Sequence, residues 1–162
     1  MHTQFRVFLV VLLSAASLAA QHRGDHDHAA MVRRGDAVMG FSHDTTAHHF
    51  RLRDNGGEIE ALARDAADAK TAQAIREHFR HIARMFADGD FTAPMLIHAQ
   101  HPPGVDRMKA SKGTISYVFE EIPAGGRVRI TTANAEARDA VHAFLRFQIT
   151  DHRTGDPLTI QK

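Results

Sequence analysis

The chain contains no cysteine, no tryptophan and a single tyrosine among its 162 residues. Without cysteine there can be no disulfide framework, no thiol nucleophile, no thiolate zinc site and no cysteine-ligated iron–sulfur cluster. Any metal site must be built from imidazole, carboxylate, thioether or backbone groups. A charge excess of one sign is also missing: 20 Lys and Arg stand against 19 Asp and Glu. That balance gives no electrostatic footprint for nucleic acid or an anionic membrane surface. What the chain does have is histidine, 13 in all, on a background of 43% hydrophobic and 24% charged residues typical of a globular domain.

Residues 1–19 read as a secretory signal, with Arg6 before the apolar run Val7 to Leu13 and a small-residue cleavage region at Ser17-Leu18-Ala19. The apolar stretch falls short of the roughly 20 residues needed for a membrane span, although an uncleaved anchor is the alternative. Cleavage would leave 19 residues of each charge sign and 12 histidines, in a periplasmic or secreted protein with no membrane association of its own. A homodimer or an envelope-protein partner is compatible with this composition.

Residues 20–40 read as a flexible, His-rich arm, where His22, His26 and His28 alternate with Asp25 and Asp27 and could chelate a divalent ion loosely. The Arg-Gly-Asp tripeptides at 23–25 and 34–36 are read as chance. A single domain is expected over 41–156, followed by a tail over 157–162. Its first unit, about 48–90, has an alternating strand through His48, Phe50 and Leu52. The turn signal Asp54-Asn55-Gly56-Gly57 leads into a return strand, and a helix follows from the N-cap Asp68 with Ile75, Phe79, Ile82 and Phe86 on one stripe. The second unit, about 114–156, repeats the order. Ile115, Tyr117 and Phe119 alternate, Pro123 to Gly126 turns the chain, and a helix from Asn134 carries Val141, Leu145, Gln148 and His152.

The two units align. An offset of 69 places Gly56-Gly57 on Gly125-Gly126, and an offset of 66 places Asp68, Ile75, Phe79 and Gly89 on Asn134, Val141, Leu145 and Gly155. The fold expected is therefore α+β: a duplicated β-β-α unit forming a four-stranded antiparallel sheet with two helices on one face. The other sheet face would carry Arg51, Arg53, Glu58, Glu60, Glu120, Arg127 and Arg129, paired across strands and facing solvent. The connection over 91–113 is expected to include an extended Pro94 to His98 and a short helix at Met108-Lys109.

Neutral imidazole is a common ligand of zinc and copper. His78 and His81, three apart on the first helix, share a shoulder with Met85. His48 and His49 are adjacent on a strand and point to opposite faces, so one of them could join such a site. Met95-x-x-His98-x-x-His101 places a thioether and imidazoles in the connection. The metal candidates are thus His48, His49, His78, His81, His98, Met85 and Met95. His152 is assigned a buried structural role and His142 an exposed one. No H-E-x-x-H, P-loop, G-x-G-x-x-G or G-x-S-x-G motif is present.

Met39-Gly40-Phe41, Thr46-x-His48-His49-Phe50, His78-x-x-His81-Ile82, Pro102-Pro103-Gly104-Val105, Gly125-Gly126-Arg127-Val128-Arg129-Ile130 and Phe144-Leu145-Arg146-Phe147-Gln148 are the segments on which the chain resembles a group of small exported bacterial proteins. The resemblance spans Met39 to Asp156 and implies export without implying an activity. Some members are labelled aspartate carbamoyltransferase, but the Ser-Thr-Arg-Thr phosphate-binding motif of that enzyme is absent here, and the mature chain is too short for its two α/β domains. The leading expectation is a periplasmic protein that binds copper or zinc in metal handling or tolerance. The rivals are a binding module whose histidines form hydrogen bonds or sense pH, and a small enzyme with a histidine general base.

Overall fold

Alternating apolar side chains and two tight turns produce two hairpins. In the computed structural model, which describes residues 27–162, strand β1 (Thr46–Arg53) pairs antiparallel with β2 (Gly56–Ala63) around the Asp54-Asn55 turn. Strand β3 (Ile115–Ile122) pairs in the same way with β4 (Gly125–Thr132). The hairpins join through β2 and β4 into one four-stranded antiparallel sheet of order β1-β2-β4-β3. At the centre of that seam Ile59 lies opposite Val128. An offset of 69 carries one of these residues onto the other, so the duplication is a local two-fold through this pair.

Each hairpin is followed by a long helix. Asp68 caps α2 (Ala69–Ala87) by accepting from the Thr71 N–H at 3.0 Å. Asn134 caps α5 (Ala135–His152) by accepting from the Ala137 N–H at 3.0 Å. The helices cross over: α2 packs on β3 and β4, and α5 on β1 and β2. Glycine opens the space beneath each. A Cβ on Gly57 would stand 2.2 Å from the Leu145 side chain, and one on Gly126 3.0 Å from Phe119 with Phe79 behind it. Phe50, Leu52, Ile59, Val128 and Ile130 of the sheet close the core against Ile75, Phe79, Val141 and Leu145.

The opposite face pairs its charges as expected: Arg51 with Glu60 and Arg53 with Glu58, both at 3.1 Å, and Arg127 with Glu60 at 3.0 Å. It is less solvent-facing than expected, since Glu58 and Glu60 are buried beneath the arginine side chains.

Several expectations are corrected. Residues 27–39, read as part of a flexible arm, form a helix, α1. Met31, Gly35 and Met39 recur every fourth position and are buried, and Met31 and Met39 join the core. The folded body therefore starts by residue 27 rather than 41. The tail beyond 156 returns to the sheet edge, where the Gln161 N–H donates to Leu52 O at 2.8 Å. Pro94 to His98, expected to be extended, belong to helix α3 (Thr92–His98). Pro94 sits in its first turn, where no intrahelical donor is needed, and Asp90 accepts from the Thr92 N–H at 2.8 Å. Val105–Ala110 is the short helix α4. His142, expected to be exposed, is buried, and its Nε2 donates to the carbonyls of Arg53 (2.9 Å) and Gly56 (3.0 Å). The leader at 1–19, with His22 and His26, lies outside the described residues. No helix among those described is long and apolar enough to cross a membrane.

Candidate functional site

Two stretches distant in sequence meet at one end of the sheet: the run from α1 through the 3-10 turn His43–Thr45 into the start of β1, and the C-terminal turn of α5. Helix α1 is fixed there by its buried methionines and by polar ties. Arg34 Nε donates to Ile97 O at 2.8 Å, and His28 Nδ1 lies 3.0 Å from Asp151 O. The result is a cleft of about 370 Å³ bordered by His28, His43, His48, His49 and His152.

Three of these rings form a cluster. His43 and His48 stack with centroids 4.8 Å apart, and His152 lies 5.5 Å from His43 and 5.9 Å from His48. His43 Nε2 faces His152 Nδ1 at 3.4 Å. The other nitrogen of His43, Nδ1, is 2.7 Å from Asp36 Oδ1 on α1, and the same oxygen accepts from the His43 backbone N–H at 2.9 Å. A carboxylate on Nδ1 fixes the tautomer and directs the Nε2 lone pair away from it. Phe41 stacks on His48, and Phe50 lies against His152.

Beneath the cleft is a second, largely apolar cavity of about 60 Å³ that shares His48 and His152 with it. Met39, Phe50, Phe79, Phe86, Ile97 and Phe144 make most of its wall, with His78, His98 and Gln148 at its edges. Among the described residues, two buried polar atoms on this wall have no hydrogen-bond partner, Nε2 of His48 and Nε2 of Gln148.

Burial holds His48, His78 and His152 neutral. It pushes the His48 pKa down to about 3, helped by the neighbouring His43, His78 and His49. Burial, with His81 nearby, lowers His78 to about 4. Burial followed by His98, His48 and His43 sets His152 well below the ordinary value. Burial alone would raise Asp36, but its hydrogen bonds and attraction to His43 outweigh this and lower it. Neutral imidazole is the form that ligates metal.

The residues singled out by spacing are distributed unevenly about this site. His48 is at its centre. His49 borders the cleft although it points to the opposite face of β1, with Nδ1 held at 3.0 Å by Asp156 Oδ1. His78 reaches the apolar cavity and packs edge-on against Phe41 at 5.7 Å, but it does not border the cleft. His98 is buried with both nitrogens engaged, Nδ1 by the Asp151 carboxylate and Nε2 by Gln148 Oε1 at 3.0 Å. His81 is exposed, and Met85 and Met95 are half-buried; none of the three borders the cleft or the cavity.

Sequence spacing missed His43, Asp36 and Met39, and gave His152 a purely structural role. Their partners lie on other elements, so no local motif joins them. The one available signal was the four-residue recurrence of Met31, Gly35 and Met39, which announces α1. Among the described residues, no three His, Asp or Glu side chains already converge on one ligating point. Compared with protein-family models, curated proteins and solved structures, the chain has no match.

Proposed function

We propose that the protein binds a transition-metal ion, zinc or copper, at the His43–His48–His152 cluster and serves in metal handling outside the cytoplasm. The observation that carries this reading is the 3.4 Å approach of His43 Nε2 to His152 Nδ1 beside the unpartnered His48 Nε2. Two nitrogens each about 2.0–2.1 Å from a tetrahedral ion stand roughly 3.3–3.4 Å apart, so the pair is already spaced as two ligands. The His48 ring must turn to bring in the third. Asp36 behind His43 and Asp156 behind His49 reproduce the carboxylate–histidine arrangement that orients metal-binding imidazoles. The leader-like residues 1–19 support an exported location.

The test is a titration of metal-free protein with Zn²⁺ and Cu²⁺. One tight equivalent is expected, lost in His43→Ala and in His152→Ala, and retained in the double variant His78→Ala/His81→Ala. Tight binding that survives removal of both His43 and His152 would exclude the cluster.

The His43–Asp36 pair also favours a second reading. A histidine with Nδ1 held by a carboxylate at 2.7 Å, bordering an open cleft, has the arrangement of a general base. That reading requires turnover of a substrate by metal-free protein, abolished by His43→Gln.

A further inference from the structure

The structure assigns the metal centre a thioether: we propose that Met39 is a ligand and that the ion is monovalent copper, bound where the histidine cluster meets the apolar cavity. The inference rests on the metal reading above and goes beyond it in naming the ion and the fourth group.

Met39 is the last residue of α1, is buried, and lines the cavity together with His48 and His152. Its position relative to His43 is set by Gly35, one helical turn earlier. A Cβ on Gly35 would stand 2.7 Å from His43 Cε1 and 3.4 Å from the Met39 methyl. The imidazole and the thioether therefore close over the same glycine; the missing side chain is what admits the His43 ring, while the Met39 methyl would meet a Cβ at ordinary contact distance. His48, whose Nε2 is buried without a partner, forms the other wall of that space.

The donors available on this side are all uncharged. Among the described residues no carboxylate lines the cavity, and Asp36 meets the His43 ring at its remote nitrogen, Nδ1. The solvation a buried ion forfeits grows with the square of its charge, so a monovalent ion loses roughly a quarter of what a divalent ion loses in the same surroundings. Phe50, Phe79, Phe86 and Ile97 offer nothing to offset a second positive charge. Neutral imidazole with thioether is a soft set that selects Cu(I) over harder divalent ions. Met85 and Met95, the thioethers suggested by spacing alone, border neither the cleft nor the cavity.

The test compares wild type with Met39→Leu, a volume-conserving change. Cu(I) affinity is measured anaerobically by competition with bicinchoninate, and Zn²⁺ affinity in parallel. Met39→Leu is expected to weaken Cu(I) by at least about tenfold while leaving Zn²⁺ within about twofold. The copper-edge X-ray absorption spectrum should contain a sulfur scatterer in wild type and none in the variant. Should Met39→Leu fail to fold, wild-type protein carrying selenomethionine must show a selenium scatterer in place of sulfur. Unchanged Cu(I) affinity in the folded variant, or copper bound with no sulfur or selenium neighbour, overturns the inference and leaves the histidine site standing. A wild-type chain that binds neither ion overturns both.

Discussion

His43 Nε2 and His152 Nδ1 stand 3.4 Å apart although 109 residues separate them. The contact has a direction. Asp36 accepts at His43 Nδ1, so in the neutral ring Nε2 carries the lone pair and His152 Nδ1 supplies the proton. A metal bound here as proposed would take the place of that proton, which would pass to the other nitrogen of His152, and would use the lone pair that His43 Nε2 already turns toward His152.

Asp36→Asn is therefore expected to lower metal affinity without removing a ligand. The amide accepts more weakly than the carboxylate and no longer prefers one tautomer of His43. A loss of about 10–100-fold is expected from such a change behind a ligand, read by chelator competition, with the urea midpoint as a check on folding. Equal affinity in a folded Asp36→Asn protein would mean that His43 is not a ligand.

His142 tests the opposite role. Its buried Nε2 serves two carbonyls at the β1–β2 turn, Arg53 at 2.9 Å and Gly56 at 3.0 Å. His142→Ala leaves both carbonyls buried and opens a void beneath α5, at a cost of about 2–4 kcal/mol. Thermal unfolding should show the loss, while metal stoichiometry stays at wild type.

How much was legible follows the range of the interactions. The hairpins, both capped helices and the Ile59–Val128 two-fold were readable because alternation, N-caps and turn glycines act over a few residues, and the duplication supplied each signal twice. Helix α1 was hidden by the charged residues and the glycine between Met31 and Met39, and α3 by Pro94, which a first turn tolerates. The site was legible in composition only. The histidine count pointed to the residue type that lines the cleft, and of the positions chosen by spacing His48 lies in the ring cluster. The i,i+3 pair His78 and His81 does not lie on the cleft, because helical spacing brings two side chains to one face without saying what that face meets. Here His78 meets Phe41, and His81 is exposed. His43, Asp36 and His152 come together only through packing of α1 across β1 and α5.

Gly57 and Gly126 are equivalents in the duplication but not in consequence. A Cβ at Gly57 meets the Leu145 side chain at 2.2 Å and the Arg51 carbonyl at 2.6 Å, so backbone as well as side chain must move. At Gly126 the nearest atom is the Phe119 ring at 3.0 Å, on a half-buried residue that can turn. Gly57→Ala is expected to cost about 1–3 kcal/mol and Gly126→Ala clearly less, both measured as denaturant midpoints at constant slope. Equal losses would remove the asymmetry from the account.

The metal-free protein should lose stability on acidification in two windows. His78, lowered chiefly by burial from 6.5 to about 4, binds its proton more readily in the unfolded chain. Its stabilising effect is complete above about pH 6.5 and is lost as the pH falls from there toward 4, on the order of 1–2 kcal/mol by pH 5. Glu60 acts lower. Burial by itself would raise it, but the Arg51 and Arg127 guanidiniums outweigh burial and hold it below the ordinary 4.5. Its contribution is present above 4.5 and disappears as the pH falls through the depressed value. Buried His48 and His152 are depressed as well and act in the same upper window, so replacing His78 by Leu should make the profile shallower between pH 6.5 and 4, without flattening it, and leave the lower window intact. Arg127→Gln should do the reverse. Urea midpoints collected across pH 3.5–7.5 separate the two, and a His78→Leu profile as steep as wild type between 6.5 and 4 would show that His78 is not what destabilises the protein in mild acid.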